Sequence, residues 1–228
     1  MVKVKICGLT RVEDILCALQ AGADYLGFIL YPPSPRAVNP DQAAVLVRET
    51  RRILSAIADE SSHPLLVGVF VNQATAETAD ILDYCGLDLA QLSGDEQEDQ
   101  IVDPASPLFG RAYKALRPRT PTAADELINR YTNYQAHSPH LYPRILLDTP
   151  HGTLYGGTGE TSDWRLAADV AARTPGLMLA GGLTPDNVAK AVQAVRPFAV
   201  DVAGGVESQP GIKDHARIKA FMHNAKAA

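Results

Sequence analysis

The chain has 228 residues, 46% hydrophobic and 21% charged, with a formal net charge of -5. That balance disfavours a nucleic-acid partner on electrostatic grounds, and no apolar run reaches the roughly 18 residues of a membrane helix. Three cysteines without C-x-x-C spacing and six histidines without an H-E-x-x-H pattern indicate neither a disulfide framework nor a metal site, so the chain reads as cytoplasmic and metal-free.

Short runs rich in Val, Ile and Leu recur, each followed by a turn and a helix-like stretch. The first predicted strand, KVKIC (3–7), begins almost at the first residue and leaves no room for a targeting segment. The amphipathic RVEDILCALQAG (11–22) follows, then a strand at DYLGFIL (24–30) and a helix within DQAAVLVRETRRILSAIA (41–58). Next come a strand at LLVGVFV (65–71), a helix within QATAETADILDYCG (73–86) and a strand at LDLAQL (87–92). Cys17 and Cys85 fall inside two of these helical patterns and read as packing residues. The second half adds strands at RAYKAL (111–116), RILLD (144–148) and GLMLAG (176–181). A helix within TPDNVAKAVQAV (184–195) and a last strand at FAVDVAG (198–204) complete the series.

These strands are apolar on both faces, as in a parallel sheet covered by helices. Eight units of about 28 residues each fit an α/β chain folded as one (β/α)8 TIM barrel domain over residues 1–228. A doubly wound sheet is the alternative, but KICGLT offers a single glycine where a dinucleotide fold places G-x-G-x-x-G. Two longer connections, 55–64 and 117–143, are polar and proline-bearing and read as surface elaborations.

In such a barrel the C-terminal strand ends form one face, where residues distant in sequence converge. Cys7 ends the first strand and Gly8 follows at once. As filler the thiol is a small buried hydrophobe; once ionised it is a proton acceptor. Arg36, stiffened between prolines in PPSPRAV, is either a surface arginine or a clamp for a substrate carboxylate. Asp148 ends the sixth strand, as a turn cap or as a carboxyl group that the apolar strand desolvates toward a general acid. Glycine pairs recur in GGTG (156–159), AGGL (180–183) and AGGV (203–206). Each alone is a tight turn. Two of them follow the seventh and eighth strands, where these barrels usually hold phosphate, so together they favour a small phosphorylated ligand. A thiol and a carboxylic acid beside a phosphate site suggest acid-base isomerisation of a sugar phosphate, with no cofactor.

The motifs KICGLT, LGFILYPPSPR, VGVFVN, QLSGDE, LLD with GGTG, LAGGLTPDNV and DVAGGVE occur in this order along nearly the whole chain. In that combination the sequence resembles the phosphoribosylanthranilate isomerase family. The resemblance implies a metal- and cofactor-free Amadori rearrangement in tryptophan biosynthesis. It implies Cys7 as general base, Asp148 as general acid and Arg36 as the partner of the anthranilate carboxylate. Phosphate would lie on the backbone at Gly157, Thr158, Gly159, Gly181, Gly182, Gly204 and Gly205. The family commonly has QLHG where this chain has Ser93, and DVSSGVE where it has Ala203 and Gly204. Neither change touches the acid or the base. Indole-glycerol-phosphate synthase, with a strand-end lysine for which Lys114 is available, and the aminoaldose isomerase of histidine synthesis are the rival enzymes. A non-catalytic sugar-phosphate binder is the rival outside catalysis, and it predicts loss of the acid or base. A monomer and a homodimer are both compatible with the sequence.

Overall fold

A computed structural model describes residues 1–56, 63–118, 120–132, 143–148 and 161–228. Eight parallel strands close into a barrel in sequence order. They are β1 (Lys3–Ile6), β2 (Tyr25–Ile29), β3 (Leu65–Phe70), β4 (Leu89–Leu92), β5 (Ala112–Leu116), β6 (Ile145–Asp148), β7 (Leu177–Ala180) and β8 (Ala199–Val202). The ring shuts where β1 lies beside β8, with Lys5 level with Asp201 and Ile6 with Val202. All eight predicted strands are present, each a residue or more shorter than its apolar run.

Alternation along the strands sorts side chains into two cores. Val4, Ile6, Leu26, Phe28, Leu66 and Leu147 face outward into the layer under the helices. Tyr25, Val67, Leu89, Tyr113, Leu146, Met178 and Ala199 fill the barrel interior. Both faces are buried, which is why the strands read as nearly continuous apolar runs.

The outer layer comprises α1 (Val12–Gln20), α2 (Pro40–Leu54), α3 (Thr75–Cys85), the single turn α4 (Asp99–Val102), α5 (Pro121–Thr132), α6 (Thr161–Arg173), α7 (Val188–Val195) and α8 (His215–Lys226). Asn39 starts α2 with a capping box: its side chain accepts from the Gln42 backbone N–H, and the Gln42 side chain accepts from its own. Gly86, at φ +71°, closes α3 in the left-handed conformation. Cys17 and Cys85 are buried on α1 and α3, as packing residues should be.

The fifth connection corrects the expectation of a surface elaboration over 117–143. Its residues Pro121–Thr132 form α5, which buries Ala124, Ile128 and Tyr131. The apolar positions are spaced for a helix, but polar residues between them and the prolines nearby masked the stripe. Residues 133–142, and 57–62 of the other long connection, lie outside the described residues. After β8 a 3-10 turn (Gly204–Val206) leads into a short antiparallel pair, β9 (Glu207–Gln209) and β10 (Ile212–Lys213). No helix among the described residues is long and apolar enough to cross a membrane.

Candidate active site

Cys7 continues the inward face of β1 one step above Lys5, as the two-residue repeat of a strand requires. Its backbone N–H donates to Val202 O at 2.8 Å, fixing the strand end against β8. The thiol is buried, and burial pushes its pKa up, while the cations Lys5 and Lys213 pull against that shift. Gly27 on β2 faces it: a Cβ there would lie 2.7 Å from Cys7 Sγ and 3.1 Å from Lys5 Cε.

Below the thiol, Lys5 is fully buried inside the barrel. Its Nζ donates to Gln91 Oε1 at 2.7 Å and stands 3.2 Å from Asp201 Oδ1, an ion pair without hydrogen-bond alignment. Tyr113 Oη donates to the same Gln91 Oε1 at 3.0 Å, and Gln91 Nε2 donates to Ser93 Oγ at 3.1 Å. Ser93, where the resembled family has histidine, is thus the anchor that orients the Gln91 amide.

Arg36 is not a free surface arginine. Its Nε donates to both Glu207 oxygens at 2.8 and 3.0 Å, and its Nη2 donates to Oε2 at 2.7 Å. Two glycines make room for it: a Cβ on Gly8 would sit 2.7 Å from Arg36 Cδ, and one on Gly204 3.1 Å from Nη2. Burial alone would raise the Glu207 pKa, but the hydrogen bonds from Arg36 and Lys213 hold it below the usual carboxylate range. Lys213 Nζ donates to Glu207 Oε1 at 2.9 Å, to Cys7 O at 2.6 Å and to Ala203 O at 3.0 Å. One carboxylate therefore ties the Arg36 loop, the β10 ammonium and the carbonyl of Cys7 together.

Asp148 ends β6, but not in the apolar setting expected from its strand. A third of its side chain is exposed, and Arg117 Nε donates to Oδ2 at 2.9 Å. The cause is Arg117, one residue past β5, whose Nη1 also donates to Ser93 O at 3.0 Å. Asp148 shares one cleft of about 490 Å³ with Arg117, Asp201, Gly181, Gly182, Gly204 and Gly205. Gly181 and Gly182 adopt φ of +98° and +50°, a turn that side chains resist. At Gly205 the reason is proximity: a Cβ would fall 1.9 Å from Leu183 O, so only glycine lets the β7 and β8 loops meet.

The cleft gathers Asp148 and four of the predicted glycines. Cys7 does not line it but is tied by its backbone N–H to Val202, which does, and Arg36 approaches it at Gly204, whereas Gly157, Thr158 and Gly159 are outside the described residues. Lys114, the lysine that the synthase reading needed, points out of the barrel into a buried pair with Glu96 at 2.8 Å. No cluster of metal-ligating side chains occurs among the described residues. Sequence reading passed over Lys5, Gln91, Arg117, Asp201, Glu207 and Lys213. For Lys5 a signal existed, since it sits two residues before Cys7 on one strand and must share its face. For Glu207 and Lys213 no local pattern showed what they hold, because Arg36 and the Cys7 carbonyl lie 171 and 206 residues away.

A family model described as N-(5'phosphoribosyl)anthranilate (PRA) isomerase matches residues 4–224 of the chain. The N-(5'-phosphoribosyl)anthranilate isomerase of Trichlorobacter lovleyi is 41% identical over 228 residues, 100% of both chains. The crystal structure of phosphoribosyl anthranilate isomerase from Thermotoga maritima is similar at a TM-score of 0.78 and 36% identity, covering 100% of each chain. A crystal structure of phosphoribosyl anthranilate isomerase in complex with reduced 1-(o-carboxyphenylamino)-1-deoxyribulose 5-phosphate is similar at a TM-score of 0.75 and 34% identity, again over 100% of both.

Proposed function

The chain belongs to the N-(5'-phosphoribosyl)anthranilate isomerase family, and from that premise we propose how its residues divide the reaction between them. The protein is a phosphoribosylanthranilate isomerase, an aldose-ketose isomerase of tryptophan biosynthesis. It turns N-(5-phosphoribosyl)anthranilate into 1-(2-carboxyphenylamino)-1-deoxyribulose 5-phosphate.

Asp148, as general acid, gives its proton to the furanose ring oxygen. The ring opens to a Schiff base and the former ring oxygen keeps that proton as a hydroxyl. Cys7, as thiolate, takes the proton from C2, and the electron pair of the C–H bond forms the C1–C2 double bond of an enolamine. Tautomerisation then adds a proton at C1 while the 2-hydroxyl loses its own to become the ketone. Two protons are gained and two lost, so the rearrangement balances without a metal or cofactor.

Arg36 receives the anthranilate carboxylate on its Nη1 edge, since Glu207 occupies the Nε edge. The phosphate lies over Gly181–Gly182 and Gly204–Gly205, where backbone approaches without Cβ obstruction. Gly157, Thr158 and Gly159 would complete that cradle. The observation that carries this assignment is the single cleft shared by Asp148 and the glycine turns after β7 and β8.

The test follows the fluorescence of enzymatically generated phosphoribosylanthranilate in metal-free buffer with wild type and Asp148→Ala. Fast decay with wild type that the substitution slows by about 10²-fold or more supports the acid role. Equal rates would remove Asp148 from it.

A further inference from the structure

An ammonium inside an apolar barrel is costly: desolvating a charge costs several kcal/mol unless partners repay it. Lys5 is such a group, and the division of labour above gives it no task. Its position is specific. Asp201 and Gln91 hold Nζ at 3.2 and 2.7 Å inside the barrel, and Tyr113 steadies Gln91 from the opposite wall. Gly27 on β2 packs directly against both groups: a Cβ there would lie 2.7 Å from Cys7 Sγ and 3.1 Å from Lys5 Cε, closer than side chains tolerate. The glycine thus lets the ammonium arm and the thiol pack side by side against one stretch of backbone, where a methyl group would press on both.

We propose that Lys5 is the positioning residue of the base, its ammonium serving as the fixed counter-ion of the Cys7 thiolate. The inference rests on Cys7 being the base and adds what makes it one. Burial disfavours the thiolate, and a cation preorganised beside the sulfur offsets that burial without moving during the reaction. On ionisation the S–H proton leaves for solvent and the electron pair stays on sulfur, facing Lys5. When the thiolate takes the C2 proton, the Lys5–Asp201 pair remains and the charge balance of the barrel floor is restored.

The other groups facing Cys7 do not substitute for it. Asp201 on β8 opposes a thiolate, and Tyr113 on β5 brings no charge to one, since burial pushes its pKa up and keeps it a neutral phenol. Lys213 favours one but spends its three donors on Glu207, Ala203 O and Cys7 O. Arg36 is committed to Glu207 through Nε and Nη2. The protonation of Lys5 itself is secure: burial works against its charge, but Asp201 and Cys7 more than compensate.

The experiment measures kcat/KM against pH for wild type, Lys5→Met, Lys5→Arg and Cys7→Ser. The expected result is an acid limb displaced upward by at least one pH unit in Lys5→Met, a tenfold or greater loss at pH 7, and partial recovery at high pH. Lys5→Arg, which keeps the cation, should keep the wild-type limb. If Lys5→Met does not fold, Gly27→Ala replaces it, because its methyl presses on both Sγ and Cε without altering any charge. A loss in either variant that is uniform across pH means that Lys5 only supports the fold, and the proposal is overturned. If Cys7→Ser retains the wild-type profile, the base assignment itself fails, a different outcome from a limb that ignores Lys5.

Discussion

At the scale of single residues, the opening motif KICGLT is a compact set of working parts. Lys5 and Cys7 share the inward face of β1, and Gly8 vacates the space that Arg36 fills. Replacing Cys7 by Ser keeps nearly the same volume but substitutes a far poorer proton acceptor. We expect kcat/KM near pH 7 to fall by about 10²- to 10⁴-fold in Cys7→Ser, with thermal stability close to wild type. A steady-state assay beside a melting curve checks both. Because burial pushes the thiol upward, activity should rise with pH along the limb set by Cys7 ionisation. The strand-end positions of the thiol and the carboxyl were legible in the sequence because they follow from the run of strands. The environment of Asp148 was not: its Arg117 partner comes from the strand before, across 31 residues.

At the scale of elements, eight apolar runs were readable because parallel strands are buried on both faces, and α2 announced itself with Asn39 and Pro40. What escaped were elements whose reason is not local. Helix α5 is disguised by polar residues and β9–β10 by being only three and two residues long. Yet that pair carries Glu207 and Lys213, which brace the site. Between the β7 and β8 loops the fit is close enough to test directly. Gly205→Ala forces a methyl against Leu183 O and should cost about 1–3 kcal/mol of stability. It should also raise KM about tenfold, as a loss of about 1.4 kcal/mol of phosphate binding would. Unchanged KM with lowered stability would separate this contact from the phosphate cradle.

At the scale of the whole molecule, buried carboxylates couple the fold to acidity. Burial works against the charge of Glu207 and Glu96, but hydrogen bonds outweigh it, so both titrate below their ordinary value in the folded state. A carboxylate depressed on folding contributes stability fully above the unfolded pKa of about 4.3, and that contribution is lost as pH falls through the folded value. Glu207→Gln leaves Arg36 and Lys213 without their common partner. At pH 7 we expect a loss on the order of 3 kcal/mol, or about 6–12 °C in melting temperature. Between about pH 5 and 3 the variant should lose stability less steeply than wild type, since it has one fewer carboxylate to protonate. Melting curves across that range decide the matter; parallel slopes would show that Glu207 is not one of the acid-sensitive links.

The closed ring has a consequence outside catalysis. Each barrel strand has a neighbour on both sides, so no long row of unpaired backbone groups is offered to another chain. Among the described residues the free sheet margins belong to β9 and β10, too short to template a foreign strand. Protection against misassociation is therefore a property of the completed circle, and it is lost whenever a single strand leaves its place. Mutations that open the ring between β8 and β1, where Cys7 and Val202 are joined, should be felt as aggregation as well as lost turnover.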